Sequence, residues 1–107
     1  MEERAAQYLQ SVRGWSLIDK RVRFREGEID LIMEAEDGLK FVEVKARRNE
    51  KFGGVVESVT TRKIQRLRRA IYRWRERENE HRFGQIIFVG ILVDGKGALT
   101  IEEHLIE

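Results

Sequence analysis

The sequence contains neither cysteine nor proline. Without cysteine it has no disulfide framework and no zinc–thiolate site, which suits a reducing, intracellular setting. Without proline, glycines are left to interrupt the chain. Long hydrophobic runs are also missing. The longest, "IIFVGILV", falls far short of the roughly 20 apolar residues that a helix needs to cross a bilayer. The start, "MEERAAQYLQ", has no basic region ahead of an apolar one, so it does not read as a secretory signal. These absences predict a cytoplasmic protein with no membrane partner. No repeat, low-complexity tract or linker is visible, so the 107 residues are expected to form a single domain. An apolar fraction of 41% is enough for one core.

What is abundant is charge. Charged residues make up 37% of the chain for a net charge of only +2, and they are unevenly placed. Between residues 62 and 77 stand Arg62, Lys63, Arg66, Arg68, Arg69, Arg73, Arg75 and Arg77 against Glu76 alone. The chain ends on Glu102, Glu103 and Glu107. Arginine's planar fork suits phosphate, and an uneven basic block predicts an anionic partner on one face.

The periodicities predict the order helix, three strands, helix, two strands. Ala5, Ala6, Leu9 and Val12 recur at helical spacing over residues 2–13, with Gly14 as the stop. Residues 15–24 read as a strand. Residues 28–34 and 39–47 read as two more, joined by a tight turn at Asp37-Gly38. Residues 49–57 read as a loop carrying Gly53 and Gly54. A helix is expected to start between Ser58 and Thr61, with Val59, Ile64, Leu67, Ile71 and Trp74 as its buried stripe, and to run to about Glu78. Trp74 is therefore expected in the core rather than stacked on a base. Residues 84–93 are apolar throughout, as in a strand covered on both faces, and the last segment reads as a short edge strand. The class is mixed α/β, with helices packed on a central sheet.

The charges inside the second and third strands need a reason. Strand side chains alternate between faces, so Glu28, Asp30 and Ile32 share one face, as do Phe41, Glu43, Lys45 and Arg47. Ile29, Leu31, Val42 and Val44 make the opposite face apolar. A turn centred on Asp37-Gly38 pairs Asp30 with Lys45, Ile32 with Glu43 and Glu28 with Arg47. Asp30 and Glu43 are then diagonal neighbours, roughly 5–8 Å apart at Cβ. Two carboxylates on rigid elements suit Mg²⁺ or Mn²⁺. A metal there can polarise a phosphodiester and acidify a water, and Lys45 can neutralise developing charge. "RVRFREGE" is expected to turn Arg21, Arg23 and Arg25 toward phosphate on one side. Arg47, Arg62 and Arg66 are further candidates for contact with a nucleic-acid backbone.

Aspartate followed by Glu-x-Lys on adjacent strands resembles the PD-(D/E)XK nuclease superfamily. The strings "GEIDLI", "FVEVKAR" and "FGGVVESVTTRK" are more specific. They resemble the bacterial YraN family, described as endonuclease-like and related to Holliday-junction resolvases, and the resemblance spans Glu2 to about Phe88. It implies a restriction-endonuclease-like αβββαβ core. It also implies metal ligation by Asp30, Glu43 and the Val44 backbone carbonyl, with Lys45 as the catalytic lysine. Glu2 matches the family's first-helix glutamate, and Lys63 the lysine near the start of its second helix. The family's Arg-Phe-Asp is here Arg82-Phe83-Gly84. The expected activity is metal-dependent hydrolysis of DNA, extending to branched DNA, with a homodimer expected if junctions are cut. The alternatives are a non-catalytic nucleic-acid-binding module on the same fold, or an adaptor whose acidic C-terminal segment meets the basic helix of a second copy.

Overall fold

The structure, a computed structural model, describes residues 1–48 and 59–107. The loop expected over 49–57, with Gly53 and Gly54, and the possible helix start at Ser58 lie outside the described residues. The elements run α1 (Glu2–Tyr8), a π-helical turn (Leu9–Arg13), β1 (Ser16–Phe24), β2 (Gly27–Ala35), β3 (Gly38–Arg47), α2 (Thr61–Glu78), β4 (Gly84–Val93) and β5 (Leu99–Leu105). The predicted first helix is thus present, but its second half widens into a π turn before Gly14 ends it at φ 71°.

The five strands among the described residues form one mixed sheet in the order β1-β2-β3-β4-β5. Neighbours are antiparallel except β3 and β4, which are parallel. A parallel pair cannot be closed by a hairpin and needs a crossover; α2 lies in that connection. This is the expected α/β class, consistent with a restriction-endonuclease-like core. No helix among the described residues is long and apolar enough to cross a membrane.

Each face of the sheet has its own core. On one face Ala5, Ala6 and Leu9 pack on Leu31, Met33, Val42, Ile87, Val89 and Ile91. On the other, Leu67, Ala70, Ile71 and Trp74 of α2 pack on Val22, Ile29, Ile32, Leu39, Phe41 and Ile86. Positions 67, 70, 71 and 74 fall on one stripe of a 3.6-residue helix. Trp74 is buried and meets Phe41 edge-on, with ring centroids 5.7 Å apart. Thr60 caps α2 by accepting the Lys63 N–H at 3.1 Å. Arg75 and Arg77 stand in the last turn, where the helix dipole favours cations.

Two expectations about β2 and β3 are corrected. The turn is centred on Glu36-Asp37, because Ala35 pairs with Gly38 and Leu31 with Val42. Gly38 belongs to β3 and has φ 137°. A Cβ on it would lie 2.2 Å from the Phe83 carbonyl oxygen, so this glycine serves a close approach rather than the turn centre. The register moves by two positions, which preserves the faces but removes the pairs Asp30–Lys45, Ile32–Glu43 and Glu28–Arg47. Extended by one residue on each strand, the observed register sets Asp30 opposite Glu43. Ile29 is the second correction. It joins Ile32 in the core under α2, whereas Leu31 and Met33 face α1. The alternation of β2 therefore breaks at Asp30.

Candidate active site

The β2–β3 ladder ends at Leu31 and Val42. One residue further, the Asp30 carboxylate takes over the role of the missing backbone partner. Its Oδ2 accepts the Val44 N–H at 2.8 Å. In an antiparallel strand a residue's N–H and C=O face the same neighbour, so the Val44 carbonyl opens toward the same gap.

Glu43 completes the pair from the β3 side. Ile64, Leu67, Ile86, Phe88 and Ile106 form an apolar wall beside it. Burial pushes the Glu43 carboxyl up to about 8, helped by its hydrogen bond to Asp30 and by the Asp30 and Glu28 charges, with Lys63 pulling the other way. A carboxyl group buried beside a second carboxylate gives up its proton reluctantly.

This donor set fits a hard divalent cation. Two carboxylates and a backbone carbonyl provide oxygens only, and a cation between them offsets the repulsion that raises the Glu43 carboxyl. Among the described residues no group of three or more His, Cys, Asp or Glu side chains is placed to hold a metal. A small protein ligand set leaves coordination positions for water and phosphate, as Mg²⁺ prefers.

The rest of the wall comes from Gly27, Glu28, Lys63, Arg66 and Leu67. Gly27 is the residue that lets α2 come down on it. A Cβ there would lie 2.5 Å from the Arg66 carbonyl oxygen. Lys63 and Arg62 stand in a first helical turn that contains no acid, where the helix dipole disfavours cations; the Asp30–Glu43 pair offsets this for Lys63. Lys45, half-buried, stands two residues beyond Glu43 on the same face of β3. Its register partner on β4 is Gly90, which has no side chain to crowd it.

The structure therefore gathers Asp30, Glu43, Lys63 and Arg66, with Lys45 and the Val44 carbonyl adjoining. Other candidates lie elsewhere. Glu2 contacts the N-terminal ammonium at 3.6 Å and Arg21 at 3.9 Å, rather than the carboxylate pair. Arg21, Arg23 and Arg25 do not share a side. Arg21, at φ 49°, bonds Glu3 at 2.7 Å. Arg23 bonds Glu28 at 3.2 Å. Arg25 lies with Arg62, Arg66 and Arg69 in a neighbouring groove. Arg47 is exposed near the end of β3. The acidic C-terminal segment is engaged within its own chain, since Arg68 Nε donates to Glu107 at 2.7 Å and Arg13 Nε to Glu103 at 3.1 Å. Gly84 aligns with Leu39, four positions below Glu43, and packs against Arg75 and Phe41. Sequence reasoning placed Glu28 on the face of the pair by strand parity and Arg69 in the basic block, but missed Gly27, for which the "GEID" string was the available signal.

The sequence profile of the uncharacterised protein family UPF0102 matches residues 1–89. A UPF0102 protein of Syntrophomonas wolfei is 42% identical over 102 residues, covering 92% of this chain and 87% of that protein. One from Frankia casuarinae is 38% identical over 92 residues, with 86% and 76% covered. One from Shewanella frigidimarina is 40% identical over 77 residues, with 72% and 70% covered. The chain belongs to the UPF0102 family, the YraN family that its motifs resemble.

Proposed function

We propose that this protein is a Mg²⁺- or Mn²⁺-dependent endonuclease that hydrolyses DNA phosphodiester bonds. The observation that carries the reading is the placement of the Asp30 and Glu43 carboxyl groups in one cavity, beside Lys63 and Arg66, where the strand ladder opens. Asp30, Glu43 and the Val44 carbonyl would hold the cation. When bound, it supplies the Lewis acidity that activates water and polarises the phosphate. Lys45 neutralises charge that develops on the phosphate oxygens. Lys63 and Arg66 hold the phosphate at the mouth of the site. Gly27 sets how closely those two cations approach the carboxylates. The substrate reading extends to branched DNA, and the setting is the cytoplasm, where bacterial DNA lies.

The test is cleavage of labelled single-stranded, duplex, flap and four-way-junction DNA in Mn²⁺ and in EDTA, with Glu43→Gln in parallel. The expected result is metal-dependent cutting that falls at least about 100-fold in the variant. Tight binding with no cutting of any substrate by the native protein would overturn the reading in favour of a non-catalytic binding module.

A further inference from the structure

Twelve of the fifteen arginines divide into two groups; the others, Arg4, Arg47 and Arg48, are exposed, make no ion pair among the described residues and lie outside the groove that holds Arg25. Arg13, Arg21, Arg23, Arg68, Arg73 and Arg82 each bond a carboxylate. Arg77 lies against Glu78 and Asp19, and Arg75 donates to the Glu80 and Arg82 carbonyls. Arg25, Arg62, Arg66 and Arg69 are exposed and make no ion pair among the described residues. These four line one open groove of ≈ 680 Å³ together with Thr61 and Gln65. Three of them follow the helical spacing i, i+4, i+7, and the fourth comes from the β1–β2 turn. Glu26, the acid in this groove, is held by Arg73 at 2.6 Å. Arg66 lines both this groove and the cavity of the carboxylate pair, so the two adjoin at that residue.

We propose that Arg25, Arg62, Arg66 and Arg69 form a phosphate track that holds the DNA backbone on one side of the scissile bond, leading out from the Asp30–Glu43 site along α2. The position of the scissile bond rests on the nuclease reading; the track itself does not. Four cations beside the single acid Glu26, which Arg73 already engages, repel each other and destabilise the folded state, and an anionic polymer relieves that repulsion. Guanidinium forks match the paired oxygens of a phosphodiester. Thr61 and Gln65 add neutral donors. Arg62 to Arg69 rises about 10 Å along the helix. Successive nucleotides of one strand rise about 3.4 Å, so the track takes about three phosphates.

The experiment is duplex binding by the Glu43→Gln protein in EDTA over a series of salt concentrations. The combined Arg62→Gln, Arg66→Gln and Arg69→Gln changes are compared with the control pair Arg68→Gln and Arg77→Gln. The slope of log affinity against log salt is expected to fall by about 2–3 with the track variant, at about 0.9 per phosphate, and to stay near its starting value in the control. Replacing the same three arginines by lysine restores the slope. In a second arm, three neutral methylphosphonate linkages are placed on one flank or the other of the site the native protein cuts. They are expected to weaken binding from one flank only. Equal slopes in all proteins, or equal weakening from both flanks, would overturn the track. Absence of cutting would overturn only the nuclease reading, because the salt slope is measured without cleavage.

Discussion

The two halves of α2 are built from the same residue types and do different work. In the C-terminal half, Ala70, Ile71 and Trp74 are buried. The arginines there are used up locally: Arg75 lies 5.2 Å from the Phe41 ring centroid and donates to two carbonyls, and Arg73 bonds Glu26. In the N-terminal half only Leu67 is buried, and Lys63 and Arg66 face a carboxylate pair. One half anchors the helix to the sheet, and the other presents Arg62, Arg66 and Arg69, which make no ion pair among the described residues, beside a break in the strand ladder. The difference teaches that an arginine-rich helix is informative about binding only once its acid partners are known.

The comparison can be broken at either end. Trp74→Ala should have the largest effect. It removes a buried aromatic and its contact with Phe41, and should lower stability by about 3–5 kcal/mol in urea unfolding. DNA affinity of the folded fraction should not change. If affinity fell as steeply as stability, the two halves would not be separable.

The site end behaves with the opposite sign. Glu43 keeps its proton to about pH 8 in the fold, against an ordinary carboxylate value of 4.5. The folded state therefore binds more protons than the unfolded chain between those values, and stability falls as pH rises through that window. In EDTA, melting temperatures of the native protein should decline between about pH 5 and pH 9 more steeply than those of Glu43→Gln. Identical slopes would mean that the fold does not hold a proton on Glu43.

Gly27→Ala tests the junction of the two halves. Its Cβ would sit 2.5 Å from the Arg66 carbonyl oxygen, so α2 must move away from β2. The expected cost is about 1–3 kcal/mol, together with weaker DNA binding, because Lys63 and Arg66 retreat from the carboxylates. Full affinity in this variant would detach Gly27 from the site. The smallest effect is expected from Thr60→Ala, which loses the cap on the Lys63 N–H and should cost about 1 kcal/mol. A loss several times larger would show that Thr60 does more than cap.

Much of this was legible in the sequence. The order of elements followed from hydrophobic period, and the Asp30 and Glu43 faces followed from strand parity. What was illegible was tertiary. Asp37-Gly38 has the composition of a turn centre, but Gly38 is required by its approach to Phe83, forty-five residues away. Ile29 lies beneath α2 although alternation assigns it to the α1 face, because β2 irregularly changes face beside Asp30. The same blindness applies to the arginines. Arg23 and Arg25 look equivalent in the chain, yet Glu28 occupies the first and the second opens onto the groove. Glu2 matched its motif and nevertheless lies against Arg21.

On the nuclease reading, a divalent cation between Asp30 and Glu43 displaces the proton that burial keeps on Glu43. Calorimetric titration of Mn²⁺ at neutral pH, in two buffers of different ionisation enthalpy, tests it most directly. Saturable binding with release of up to about one proton per ion is expected, with loss of both in Glu43→Gln. Binding without proton release, or binding that survives in the variant, would contradict it.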